Sequence, residues 1–244
     1  MLAQDSLGTT KNRLLASLSA ADRDLLAPCL KSMPLELRQR LEMPNRRIRA
    51  VYFIERGLVS VVAIGGGVRR QAEVGVIGHE GMTGLALVMG CDRSVHDTFV
   101  QSEGAAHCIA AADLQDALRS SRSLHDTLLR YAYVCSVSVA YTALANAQAS
   151  IEERLARWLL MAHDRSHDDQ IHLTHEFLSL MLGTRRAGVT TALNAFDTRG
   201  WISHSRGCIT IINRDALQLF AAGFYGVPEA EYQRLLGKLQ PASC

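Results

Sequence analysis

The chain lacks any apolar run long enough to cross a bilayer. Its longest runs, such as Leu85-Ala86-Leu87-Val88-Met89, fall far short of the roughly 20 residues a spanning helix needs. The opening residues Met1-Leu2-Ala3-Gln4-Asp5 carry no basic region followed by an apolar stretch, so a cytoplasmic protein with no membrane partner is expected. Cysteine is sparse and scattered: Cys29, Cys91, Cys108, Cys135, Cys208 and Cys244 form no Cys-x-x-Cys pair. That argues against a clustered thiolate site for zinc or an iron–sulfur centre and leaves buried, reduced thiols as the expectation. No Gly-x-Ser-x-Gly, Walker or dinucleotide-binding glycine pattern occurs. Gly65-Gly66-Gly67 has no helix after it and reads as a hairpin turn. With no catalytic constellation, an enzyme is not expected. His163, Asp164, His167, Asp168 and His172 cross a loop without fixed geometry and read as a solvated linker, so no metal is expected. Charge of one sign is lacking too. The net charge of +2 rules out binding nucleic acid by bulk positive charge.

What is present is a core-forming composition, 48% hydrophobic, arranged in three regimes. Residues 12 to 41 read as helices, with Leu14, Leu15, Leu18, Leu25, Leu26 and Leu30 at helical spacing, Ser19 as an N-cap, and breaks at Pro28 and Pro34. From about Arg46 strands take over. Val51-Tyr52-Phe53-Ile54, a Glu55-Arg56-Gly57 turn, Leu58 to Ile64, Arg69 to Val76 and His96 to Ile109 read as short strands. Gly75, Gly78, Gly81 and Gly84 lie at intervals of three in a segment that must turn often. A compact antiparallel barrel or sandwich over about 46 to 112 is expected.

A short helix, Ala111 to Ser121, then precedes the longest uninterrupted helical stretch, Ser123 to Ala149. On it Leu124, Leu128, Tyr131, Cys135, Ser138, Thr142 and Ala145 step by four and three, which predicts a coiled-coil seam between two copies of the chain. Tyr131, Tyr133 and Tyr141 are read as packing residues. Ile151 to Ala162 continues as helix, with Leu155, Trp158, Leu159 and Ala162 on one face.

Leu173 to Leu193 reads as two short helices joined by a tight turn. Thr174 caps the first, with Glu176 in its first turn and Phe177, Leu178, Met181 and Leu182 as the inner stripe. Gly183 marks the bend, and Thr184 is expected to cap the second helix. Val189, Leu193 and Phe196 form its inner face, while Arg185, Arg186, Thr190, Thr191 and Asn194 form its outer face. Those types suit a DNA major groove: arginine clasps guanine bidentately, asparagine reads adenine, and threonine methyls touch thymine. Trp201 to His204, a Ser205-Arg206-Gly207 turn and Cys208 to Ile212 read as a β-hairpin, or wing, with Arg206 at its tip. Arg214 to Leu239 reads as helix. The candidate DNA contacts are Thr174, His175, Thr184, Arg185, Arg186, Gly188, Thr190, Thr191, Asn194 and Arg206. From Ile171 to Asp215 five arginines face three acids, which suits a reader that places a few cations on phosphates.

These pieces together resemble the Crp/Fnr family of bacterial transcription regulators over nearly the whole chain. Val51 to Val61 looks like the family's opening strands, and Gly78-His79-Glu80-Gly81-Met82-Thr83-Gly84 like its glycine-rich turn. Glu152 to Leu160 looks like the helix entering the DNA-binding part, and Leu182 to Val189 like the recognition turn and helix. The resemblance implies an α+β fold: an antiparallel β-roll (double-stranded β-helix or jelly roll) with N-terminal helices over 1–121, a long dimerisation helix over 122–149, and a winged helix-turn-helix with a helical tail over 150–244. It implies a homodimer on a palindromic double-stranded DNA operator, with RNA polymerase as a partner if the protein activates. Gly78, Glu80, Gly81, His96 and Asp97 become effector-pocket candidates.

Three departures stand out. His96 and Asp97 occupy the positions of the Arg-Ser pair that grips a cyclic phosphate, so cyclic AMP is not expected as the effector. Cys29 stands alone in the N-terminal part, so no iron–sulfur cluster is expected. Arg186-Ala187 replaces an Arg-Glu pair, and Thr191 aligns with a second base-reading arginine. The operator should therefore differ from TGTGA or TTGAT half-sites, with Arg186 reading a base and Arg185 a phosphate. The alternative is a ligand-binding or partner-docking module whose helix-turn-helix has lost sequence-specific DNA binding.

Overall fold

A computed structural model describes residues 10–66, 70–166, 169–173, 175–205 and 207–237. In the N-terminal part the chain order is α1 (Arg13–Ser17), α2 (Ala20–Leu26), β1 (Lys31–Leu35), β2 (Arg40–Glu42), β3 (Ala50–Ile64), β4 (Gln71–Ile77), α3 (Leu85–Val88) and β5 (Asp97–Ala110). Asn12 starts α1: its Oδ1 accepts from Leu15 N (2.9 Å) and its amide donates to Ile54 O and Gly81 O (both 2.8 Å). Ser19 caps α2 by accepting from Asp22 N (3.1 Å).

After a 3-10 turn at Ala27–Cys29 the helical expectation fails, because β1 and β2 are strands. Pro34 lacks the amide a helix would use. The second half of β5 recruits the segment instead, in antiparallel register from Lys31↔Cys108 to Leu35↔Gly104.

Two long strands, β3 and β5, run antiparallel from Ala50↔Ala110 to Val62↔Asp97 and form the spine of the sheet. Along it the order is β1-β5-β3-β4, with β2 also on β5. Glu55-Arg56-Gly57 is not the turn its composition suggested. The strand continues through it, and the pairing shifts register between Ile54 and Val59. Gly57 takes φ +88, and a Cβ there would lie 2.5 Å from Ser102 O. The backbone therefore bends and slips as a bulge rather than reversing. Gly65 and Gly66 do lie in the β3–β4 connection, while Gly67 and Arg69 are outside the described residues.

Helices then take over: α4 (Ala111–Ser120), α5 (Arg122–Gln148) and α6 (Ile151–Arg165). Ser150 and Glu153 close a capping box at the start of α6, Glu153 N donating to Ser150 Oγ (3.2 Å) and Ser150 N to Glu153 Oε2 (2.7 Å). The C-terminal part adds β6 (Gln170–His172), α7 (His175–Met181), α8 (Arg186–Thr198), β7 (Ile202–Ser205), β8 (Cys208–Ile211), α9 (Arg214–Phe220) and α10 (Val227–Leu236). The tail is thus two helices, broken at Ala221–Gly226.

The heptad stripe on α5 faces inward, which corrects the seam read from sequence. Leu124, Leu128 and Tyr131 are buried against Val51, Phe53, Met82 and Leu114 of the same chain, and Ala145 is also buried. Cys135, Ser138 and Thr142 are half-buried and line internal cavities. The spacing identified a packed face correctly but not its partner, because an intrachain and an interchain contact impose the same period. By length and composition α5 is also apolar enough to cross a membrane, with mean hydropathy 1.3 over its best window. Its many Ala, Val and Leu residues accumulate hydropathy without a long unbroken apolar run. Of the three tyrosines, Tyr131 is buried, Tyr141 half-buried and Tyr133 exposed, so Tyr133 is no packing residue within this chain.

The thiols also depart from expectation. Cys91 is exposed, and Cys29, Cys108, Cys135 and Cys208 are half-buried, all unpaired among the described residues. Cys244 lies outside them.

One core joins the sheet to the C-terminal part. Leu58, Val62 and Val76 of the roll share a cluster with Leu155, Leu159, Leu193 and Phe196.

Candidate functional site

α7 and α8 form the helix-turn-helix. Leu178, Met181 and Leu182 meet Val189, Ala192, Leu193 and Phe196 in the buried interior, the apolar stripe that periodicity predicted. Gly183 makes the bend with φ +58, and a Cβ there would meet nothing within 4 Å. Gly183→Ala should therefore cost about 1 kcal/mol from backbone strain alone. A urea melt checks this, and Gly183→Asn should cost less.

The cap of α8 differs from the sequence reading. Arg185 is the N-cap, with no side-chain hydrogen bond. Thr184 lies one residue too early to cap, and its amide donates to Ser179 O (3.0 Å). Arg185, Arg186, Thr191 and Asn194 are exposed, Thr184 and Thr190 half-buried. Neither Arg185 nor Arg186 has an ion pair among the described residues. Thr190 Oγ1 and Thr191 Oγ1 donate back to Arg186 O and Ala187 O (both 3.1 Å), which leaves their methyl groups for contact. Gly188 departs from the candidate set. A Cβ there would lie 3.2 Å from Ile151 Cδ1, so it is where α8 approaches α6. Thr174 and Arg206 lie outside the described residues, as does the side chain of His175.

The expected wing is present as β7 and β8, paired from Ile202↔Ile211 to Ser205↔Cys208, with β6 on the other side of β8. His204 Nδ1 meets Asp197 Oδ2 at 2.9 Å and ties the wing to α8. His163 and Asp164 are not a solvated linker. They end α6 and bind Arg214, whose guanidinium donates to Asp164 Oδ1 (2.5 Å), His163 Nδ1 (2.8 Å) and Tyr225 Oη (2.7 Å). His167 and Asp168 lie outside the described residues. Among those described, no group of three or more His, Cys, Asp or Glu could hold a metal.

A cavity of about 500 Å³ opens between the roll, α3 and α5. Of the effector-pocket candidates, Glu80 and His96 line it. The other three do not. Gly78 packs under Arg165, Gly81 lies against the Tyr131 hydroxyl, and Asp97 pairs with Arg40 at 3.3 Å.

Two contacts between the roll and α6 were not foreseen. Trp158 Nε1 donates to Glu73 Oε1 (2.6 Å), and burial raises the Glu73 carboxyl to about 7 against the pull of Ser60, Trp158 and two arginines. Arg165 Nε lies 2.9 Å from Glu80 Oε1, with 13% and 4% of the two side chains exposed. Burial opposes the Arg165 charge, but Glu80 outweighs it and holds the guanidinium firmly protonated. A lone acid in the otherwise apolar run Ala72 to Ile77 was the one sequence signal for Glu73. The Arg165–Glu80 pair, 85 positions apart, left none.

Residues 153–220 match the family model described as a Crp-like helix-turn-helix domain. Among solved structures, a Crp/Fnr-family transcriptional regulator from Eubacterium rectale matches with TM-score 0.65 and 18% identity, covering 85% of this chain and 97% of that one. FixK2 from Bradyrhizobium japonicum matches with TM-score 0.67 and 15% identity over 80% and 98%. The c-di-GMP-responsive regulator CLP from Xanthomonas campestris matches with TM-score 0.62 and 14% identity over 79% and 99%. Among curated proteins no relative matches. With a roll of antiparallel strands, a long helix and a winged helix-turn-helix in that order, the chain has the fold of the Crp/Fnr regulators, and its residues 153–220 are similar to their Crp-like helix-turn-helix domain.

Proposed function

We propose that the protein is a Crp/Fnr-type transcription regulator that binds a palindromic operator as a homodimer and does not use cyclic AMP. The observation that carries this is the two-sided character of α8: Val189, Ala192, Leu193 and Phe196 are fully buried, while Arg185, Arg186, Thr191 and Asn194 stand exposed. Arg186 reads a base, Arg185 holds a phosphate, and Ala187 and Thr191 set an operator unlike TGTGA or TTGAT. Two such helices about a two-fold axis place half-sites roughly 34 Å apart.

The dimer seam in this reading is the outward face of α5. Leu129, Tyr133, Ser136, Ala140, Ala143 and Ala147 are exposed there at alternating steps of four and three. Function divides as 1–121 for sensing, 122–149 for pairing and 150–244 for DNA. The protein works in the cytoplasm, and as an activator it would meet RNA polymerase. Against cyclic AMP stand His96 in place of an arginine and Asp97, whose carboxylate is committed to Arg40.

Fluorescence anisotropy on a palindrome selected from random DNA tests the proposal. Saturation at two chains per duplex is expected, and Arg186→Ala should weaken binding by about 1–3 kcal/mol, about five- to 150-fold. Equal affinity for scrambled DNA, or an Arg186→Ala variant that binds as wild type, would refute it.

A further inference from the structure

We infer that the cavity between the roll and α5 binds an uncharged apolar small molecule and excludes anions. This rests on reading residues 1–121 as the sensing part. At about 500 Å³ the cavity falls within the roughly 300–1,000 Å³ of drug-sized ligand sites. Val61, Val74, Ile77, Met82, Leu85 and Val134 supply aliphatic wall. Met89 and Val95, 60% and 67% exposed, leave the rim apolar as well.

Most of the polar groups on the wall are already engaged within the chain, the side chains of His96, Thr98 and Ser138 being the exceptions among the described residues. Gly84 N, the amide ahead of α3, donates to Glu42 Oε1 (2.6 Å), so an anion approaching that amide meets a carboxylate. Glu80, which does line the cavity, accepts from Gly78 N through Oε2 (3.0 Å). Arg165 is consumed by Glu80 Oε1 (2.9 Å), Val76 O and Met161 O (both 3.0 Å). Thr83 Oγ1 accepts from Tyr52 N (3.1 Å), Ser94 Oγ donates to His96 O (3.1 Å), and Tyr232 Oη donates to Glu80 O (2.7 Å). Arg93 at the rim donates to Asn45 O (2.9 Å) and faces Asp92. A charged ligand would lose hydration and find mostly carboxylates and donors already in use. An apolar ligand gains by burying its surface and breaks none of these bonds. Pro228, Glu229 and Tyr232 of α10 and Arg165 of α6 also line the cavity, so an occupant touches the C-terminal part directly.

The test uses the full chain without DNA and the neutral fluorophore N-phenyl-1-naphthylamine, followed by displacement. Saturable binding of one probe per chain is expected. Decanol should displace it at a concentration at least tenfold below that of decanoate at neutral pH, and cyclic AMP should not displace it. A Cβ on Gly75, which lines the cavity, would meet only Val61 Cβ at 3.9 Å. Gly75→Phe should therefore fill space and weaken probe binding at least tenfold. If Gly75→Phe does not fold, Met89→Glu at the exposed rim decides, with the same loss expected. No saturable binding, displacement by decanoate or cyclic AMP as good as by decanol, or a folded variant that binds as wild type overturns the inference. Because no DNA is present, failure of operator recognition leaves this result standing, and the converse also holds.

Discussion

Arg165→Met should lower Tm by roughly 10 °C, from a loss of about 3–5 kcal/mol at about 2–4 °C per kcal/mol for a chain of this size. The reason is what the substitution leaves behind. Glu80 is 3% exposed, burial already pushes its carboxyl up, and without its cation it must either take up a proton or stay as an unpaired buried charge, still holding only the Gly78 amide. Val76 O and Met161 O would lose their donors as well. The cost is thus mostly that of a buried acid and two carbonyls left without their cation rather than the worth of one ion pair. Glu80→Met together with Arg165→Met should recover much of the loss, because a buried pair replaced by apolar groups is often close to neutral. Calorimetry on the three variants checks this. A single variant within about 1 kcal/mol of wild type, or a double variant no better than the single, contradicts the argument.

Folding stability should fall by about 3 kcal/mol as pH rises from about 4.5 to about 7, through Glu73. Its folded value is raised to about 7 from 4.5. A raised acid contributes stability that is fully present below its unfolded value and is lost as pH climbs through the folded one. Protonated, the carboxyl sits in the β4–α6 junction at no charge cost and still accepts from Trp158 Nε1. Ionised, it must be desolvated there. Glu73→Gln keeps the acceptor and removes the charge, so its stability should be nearly flat across that window. Urea unfolding at pH 5, 6 and 7 measures the slope, and equal slopes for variant and wild type would show that Glu73 does not titrate as argued.

What the sequence made legible follows from what is local. The α7–α8 pair was readable because Phe177 to Leu182 and Val189 to Phe196 repeat at helical spacing on either side of one glycine. The wing was readable from a Gly207 turn between two apolar runs. Strands β1 and β2 were not, because their pairing with β5 lies more than fifty residues away and their leucines match a helix equally well. Gly57 was legible as a glycine that must adopt an unusual conformation. Whether that conformation reverses the chain or only bends it is decided by β5 across the sheet, which pairs with β3 on both sides of Gly57. Of the effector-pocket candidates, Glu80 and His96 reached the cavity wall, while Asp97 was drawn away by Arg40. Glu42, which occupies the Gly84 amide, sits 42 positions from it and gave no signal.

α10 returns to the first part of the chain. Its Tyr232 lies in one cluster with Leu14 and Leu15 of α1, next to Met82 and Leu128. The winged part is therefore fastened not only at the Ala149–Ser150 joint but by the shared core, the Trp158–Glu73 and Arg165–Glu80 contacts and this strap, and behaves as a closed linkage rather than a hinged flap. Any swing of the helix-turn-helix about that joint must slide α10 along α5 or peel it off. A cut at Gly226 would release the strap alone and leave the roll–α6 core to resist the swing, and a fragment starting at Ser150 would leave Tyr232 nothing to bury against.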